Sequence, residues 1–167
     1  VVNKDELHES LSLEKQQELL EKFDLESNQR NPQNFMKHVV YFGLLAFTLY
    51  QLYTAIFGQF PAQIQRTVHL GFALVFIFLL FPATRKLSKA RIPFYDYILA
   101  LVAVFVGSYW VLNYERLVQS LGKLETLDFY VGLLAIILVL EAARRAVGLP
   151  IAIIAAVFLL YAFFGRY

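Results

Sequence analysis

Cysteine is absent from all 167 residues, which excludes disulfides, thiolate metal sites and a cysteine nucleophile. Charge is missing from long stretches: Val39–Phe57, Val68–Phe81, Tyr97–Tyr114 and Phe129–Leu140 contain no Asp, Glu, Lys or Arg, and none has a proline at its middle. The polar face that a soluble helical bundle shows at every third or fourth position is therefore lacking. No Gly-rich phosphate loop, paired-His metal spacing or nucleophile elbow occurs, so no catalytic, substrate-binding or metal-ligating residue is expected, no cofactor and no nucleic acid partner. The first thirty-odd residues are polar and acid-rich, unlike a basic segment ahead of a short apolar stretch, and no cleavable signal peptide is expected.

What remains is strongly apolar. Hydrophobic residues make up 59% of the chain and mean hydropathy is +0.56, against roughly 45–50% apolar content in soluble domains. A bilayer's hydrocarbon core is about 30 Å thick and takes about 17–25 helical residues. The four runs reach that length with their interfacial ends, and a fifth spans Val147–Gly165. The expected fold is an all-α polytopic membrane helical bundle, with four to five transmembrane helices preceded by an amphipathic N-terminal helix. Residues 1–34 form the cytoplasmic amphipathic helix and a polar linker, 35–147 a four-helix membrane domain, and 148–167 the fifth hydrophobic helix.

Lys and Arg set the orientation. Arg30 and Lys37, then Arg85, Lys86, Lys89 and Arg91, then Arg144 and Arg145 fall on one side, whereas Arg66, Arg116, Lys123 and Arg166 fall on the other. The positive-inside rule puts the N-terminus in the cytoplasm. Helix ends are legible too. Pro61 and Pro93 suit first turns. Asp96 and Asp128 lie where carboxylates complement the macrodipole. Thr126 is the expected cap of the fourth span, which would end near Val147 before Gly148 and Pro150. Ser12–Glu26 reads as an amphipathic helix with Leu13, Leu19, Leu20 and Phe23 on its stripe and a favourable Glu18–Lys22 pair. It suits docking on protein or on the membrane surface equally.

Few residues stand out inside the spans. Glu141 precedes Arg144 and Arg145 by three and four positions, which reads either as a helix-terminal ion pair or as a polar contact with a partner helix. His38 and His69 raise a bis-histidine haem site, hence an alternative reading as a small electron-transfer membrane anchor. However, the topology places them about 20 Å or more apart in depth. Small residues (Ala100, Ala103 and Gly107 on the third span, Gly132 and Ala135 on the fourth) allow close backbone approach in lipid, within the chain or against a partner. A self-contained oligomeric channel is disfavoured by the dry spans, because charge at membrane depth costs at least about 2.5–3.5 kcal/mol and usually marks a pathway.

Several stretches resemble one family: Leu20-Glu-Lys-Phe-Asp-Leu-Glu-Ser27, Tyr50-Gln-Leu-Tyr-Thr-Ala-Ile-Phe-Gly58, Gln65-Arg-Thr-Val-His-Leu-Gly-Phe-Ala73, Arg91-Ile-Pro-Phe-Tyr-Asp96, Val111-Leu-Asn-Tyr-Glu115 and Leu140-Glu-Ala-Ala-Arg-Arg-Ala-Val-Gly148. From about Leu19 onward the chain resembles the N-terminal, small-subunit-like part of TRAP (tripartite ATP-independent periplasmic) transporter permeases, of the fused TAXI type. The resemblance implies a membrane scaffold for a large permease domain or subunit. That assembly would work with a periplasmic TAXI-type substrate-binding protein to take up organic acids by cation-coupled symport across a bacterial or archaeal inner membrane. On that reading the chain is a piece of a fused permease or a separate small subunit. Glu141, Arg144, Arg145, Ala100, Ala103 and Gly107 are its candidate partner-interface residues.

Overall fold

A computed structural model describes residues 29–30, 32–33, 35–58, 60–84, 92–120, 123 and 125–165. The expected helix over Ser12–Glu26 and the basic stretch Arg85–Arg91 lie outside these residues. Among the described residues the structure is helical, without strands. Its elements are α1 (Phe35–Phe57), α2 (Ala62–Leu80), α3 (Phe94–Leu112), α4 (Tyr114–Gln119), α5 (Thr126–Ala146) and α6 (Leu149–Phe164). The chain is an all-α bundle in which α1, α2, α3 and α5 are each long and apolar enough to cross a membrane. At 1.5 Å per residue they run about 28–34 Å, and α6 about 24 Å.

Local chemistry sets most helix ends, with small shifts from expectation. Pro61 and Pro93 are the N-cap residues of α2 and α3, one position before the first turn. The cap of α5 is Glu125 rather than Thr126. Its side chain accepts from the third-position N–H, while Asp128 accepts from the Glu125 N–H at 3.0 Å. This reciprocal box satisfies two orphan donors, which the lone Thr126 hydroxyl would not. α5 stops at Ala146, and Gly148 at φ +118° turns the chain into α6 with Pro150 in its first turn. The short helix α4 was not foreseen. It begins immediately after the Asn113 turn, where Asn113 caps the end of α3 by donating from Nδ2 to the Tyr109 carbonyl at 2.9 Å.

The core lies between α2, α3 and α5. Leu74, Phe78 and Leu79 meet Ala100, Ala103 and Val106, with Val131, Leu138 and Ala142 closing the third side. The close approach of α2 to α3 depends on small residues. A Cβ built at Gly107 would sit 3.7 Å from the Gly71 Cα, so two glycines mark where the backbones cross. α1 rests on α2 through an aromatic stack of Phe47, Phe72 and Phe76, with the first pair of ring centroids 5.1 Å apart. Gly43 leaves room there for the Phe76 ring, which would stand 3.0 Å from a Cβ. α6 folds back along α5, so that Phe163 lines the same crevice as Asp128, Phe129 and Gly132. Two lateral apolar crevices of about 570 Å³ flank the α2–α3 crossing.

Candidate functional site

The ends of α2, α3 and α5 come together with the segment preceding α1, and there the chain buries charge. Asp96, in the first turn of α3, is fully buried. Its Oδ1 accepts a 2.7 Å hydrogen bond from Nη1 of Arg145, and its Oδ2 lies 2.6 Å from Nη2 of Arg30. Arg145 reaches further: its Nε donates to Glu141 Oε1 at 2.7 Å, and its guanidinium sits 5.2 Å above the Phe78 ring. Arg144 grips Glu141 with two 2.7 Å bonds and donates from Nη1 to the Ala83 carbonyl at 3.0 Å.

These cations also cap α2, which has no basic residue in its own last turn. A helix leaves its last four carbonyls without intrahelical donors. In α2 the Ile77 carbonyl takes the Phe81 N–H, and the Leu80 carbonyl takes the Arg30 N–H at 2.7 Å. The Phe78 and Leu79 carbonyls face Arg30 Nη1, both at 3.4 Å. Phe81 O then faces Arg145 Nη1 at 3.4 Å. Positive charge at a helix C-terminus is favourable; here it arrives from distant parts of the chain.

A second tie closes the opposite end of the α3–α5 pair. Arg116 of α4 donates to both Asp128 oxygens, from Nη1 at 2.9 Å and from Nη2 at 2.6 Å. Tyr109 of α3 donates its hydroxyl proton to Asp128 Oδ1. The bidentate carboxylate bond holds the Arg116 guanidinium protonated, further above its already high range. The two ties stand about 20–25 Å apart along these helices.

A third polar feature crosses the α1–α2 seam. Gln51 Nε2 lies 2.6 Å from His69 Nδ1, and Gln65 Nε2 donates to Thr54 Oγ1 at 3.1 Å. The Phe47 ring centre is 5.1 Å from that of His69. This antiparallel pairing places His38, in the first turn of α1, about 18 Å along the helix from the level of His69, too far for both imidazoles to ligate one haem.

The candidate interface residues separate into two groups. Glu141, Arg144 and Arg145 stand together at the Arg145 end, but they bond to different neighbours: Arg145 is buried against Asp96, and Arg144 reaches the end of α2. Ala100 and Ala103 are buried inside the bundle, and Gly107 lies at the α2 crossing. The sequence reading missed Arg30 as a site residue and treated Asp96 and Asp128 only as dipole partners. Arg116 enters the sequence analysis only as an orientation residue. A carboxylate in the first turn of one apolar span, with an arginine in the last turn of an antiparallel one, was the available signal. No family model, curated protein or solved structure matches the chain.

Proposed function

We propose that this chain is a membrane scaffold, the small-subunit-like part of a tripartite ATP-independent periplasmic secondary transporter that takes up organic acids with cation coupling. Its N-terminus would lie in the cytoplasm of a bacterial or archaeal inner membrane. Its partners would be a large permease domain or subunit and a periplasmic TAXI-type binding protein. One observation carries the reading: the buried charges are committed to joining helix ends. Asp96, Arg145 and Arg30 bind three segments at one end, and Tyr109, Arg116 and Asp128 bind three at the other. Carriers instead place polar groups and broken helices at mid-membrane to grip cargo. Between the two ties the core consists of Leu, Phe, Val and Ala, while Leu101, Val104, Phe105 and most of α6 turn apolar side chains outward. A braced bundle with apolar flanks suits a part that supports a moving neighbour.

The test is purification of the tagged chain from its native membrane, with organic-acid uptake measured in cells with and without it. A stoichiometric large multi-span permease, and uptake that depends on the chain, are expected. Glu141→Gln, which leaves the Asp96–Arg145 pair in place, should slow uptake while leaving the solute preference as it was. A preference altered by that substitution, or a Soret band in the purified protein, would count against the scaffold.

A further inference from the structure

The α1–α2 hairpin is thinly covered by the rest of the chain. α1 buries 11% of its span, the least of the four long helices. At one level its flank is polar, where Gln51 and His69 meet at 2.6 Å. Gln51 stands six residues before the end of α1, and His69 seven after the start of α2. The pair therefore lies about 9–11 Å inside the helix ends.

Their mutual bond leaves both side chains with unused capacity. Gln51 Nε2 can only donate, so His69 Nδ1 accepts and the ring carries its proton on Nε2. What remains is one acceptor, Gln51 Oε1, and one donor, His69 Nε2–H, neither with a partner among the described residues. Turning the amide over exchanges the two roles and leaves the same complement. His69 is exposed and Gln51 half-buried, so both are open to a neighbour. Polar groups left unpaired against hydrocarbon are strongly unfavourable.

A donor and an acceptor at one depth make a self-complementary pair. A two-fold axis along the bilayer normal keeps every atom at its depth, and such an axis makes an isologous contact. It can set the His69 of each copy against the Gln51 of the other. The surroundings permit close approach. Thr48 and Ala55, one turn either side of Gln51, are exposed and small, and the Thr48 hydroxyl is already bonded to the Leu44 carbonyl at 2.9 Å. Arg66, one turn nearer the helix end than His69, is exposed and long enough to carry its charge to the headgroups.

We propose that the Gln51–His69 face of the α1–α2 hairpin is an interface for a second copy of this chain, closed by reciprocal His69–Gln51 hydrogen bonds. This inference stands apart from the transporter reading.

The chain has no cysteine, so one fluorophore per copy, at Phe57→Cys on the exposed end of α1, reports pairing alone. Energy transfer between donor- and acceptor-labelled protein, with any co-purifying subunits, is followed in vesicles as lipid is added. The parent chain should pair. His69→Phe should raise the dissociation constant about tenfold, equivalent to roughly 1.4 kcal/mol, and His69→Gln should return part of it. Ala55→Trp, which leaves the Gln51–His69 bond in place, should weaken pairing at least as much while helix content and thermal midpoint hold. A photoreactive benzophenone at position 55 should join two copies. The interface is overturned if the parent chain stays single at every dilution, or if pairing survives His69→Phe or Ala55→Trp unchanged. It is overturned equally if Ala55→Trp unfolds the bundle, or if the benzophenone captures a different subunit there.

Discussion

Asp96 and Arg145 stand 49 positions apart in the chain, yet their side chains meet at 2.7 Å with both almost wholly shielded from solvent. That contact joins the first turn of α3 to the last turn of α5. Replacing Asp96 with Asn should destabilise the bundle by about 3–5 kcal/mol, the range for stranding one member of a buried pair. Here two arginines would be left facing each other. Unfolding in mixed micelles by a denaturing detergent measures it, and a loss under about 1 kcal/mol, the range of an exposed pair, would show that the contact is not sealed.

Arg116 ties α4 to α5 and, through Tyr109, to α3. Arg116→Gln removes the bidentate grip on Asp128 while leaving the core between α2, α3 and α5 untouched. Amide hydrogen exchange should accelerate across Tyr114–Gln119 and stay unchanged in the middle of α3. Acceleration spread evenly over both would mean that this tie supports the whole bundle.

Packing at the α2–α3 crossing leaves little room. Ala103 has no exposed surface, so Ala103→Leu should cost about 1–3 kcal/mol by overpacking. Gly107→Ala, whose Cβ meets Gly71 at an ordinary 3.7 Å, should be tolerated. Thermal midpoints of the two variants in one detergent separate these outcomes.

The Gln51–His69 bond, like that of Gln65 to Thr54, joins α1 to α2 through polar side chains. Gln51→Leu should weaken that seam by about 0.6–1.7 kcal/mol, as interhelical hydrogen bonds in membranes do. Amide hydrogen exchange across α1 should accelerate in the variant. An unchanged rate would show that the aromatic stack and the Gln65–Thr54 bond hold the seam without it.

At the α5–α6 corner, Gly148 has φ +118° and ψ 168°, a region open essentially to glycine. Gly148→Ala should therefore cost about 1–3 kcal/mol. The loss should appear as weaker packing of α6 on α5, read by tryptophan fluorescence from a Phe163→Trp reporter.

Much of the architecture was legible because it depends on neighbours in sequence. Uncharged runs of span length, prolines and glycines between them, and Asp128 three residues after its cap are all local patterns, and the helices formed where those patterns lie. The cap of α5 was displaced by one residue, since a carboxylate pair at Glu125 and Asp128 outcompetes a single hydroxyl at Thr126. α4 went unread because six residues carry too little periodicity to register.

Composition and spacing by themselves determined that this chain is a bundle of apolar helices, because burying backbone polar groups in lipid leaves a long uncharged segment little choice but a helix. Which charges meet was decided only by the tertiary structure. Arg30, Asp96 and Arg145 belong to three separate segments, and nothing local distinguishes a dipole-complementing aspartate from one enclosed by two arginines. Once α2, α3 and α5 pack side by side, the low-dielectric space at their ends makes pairing compulsory, and the pairing follows from who stands beside whom.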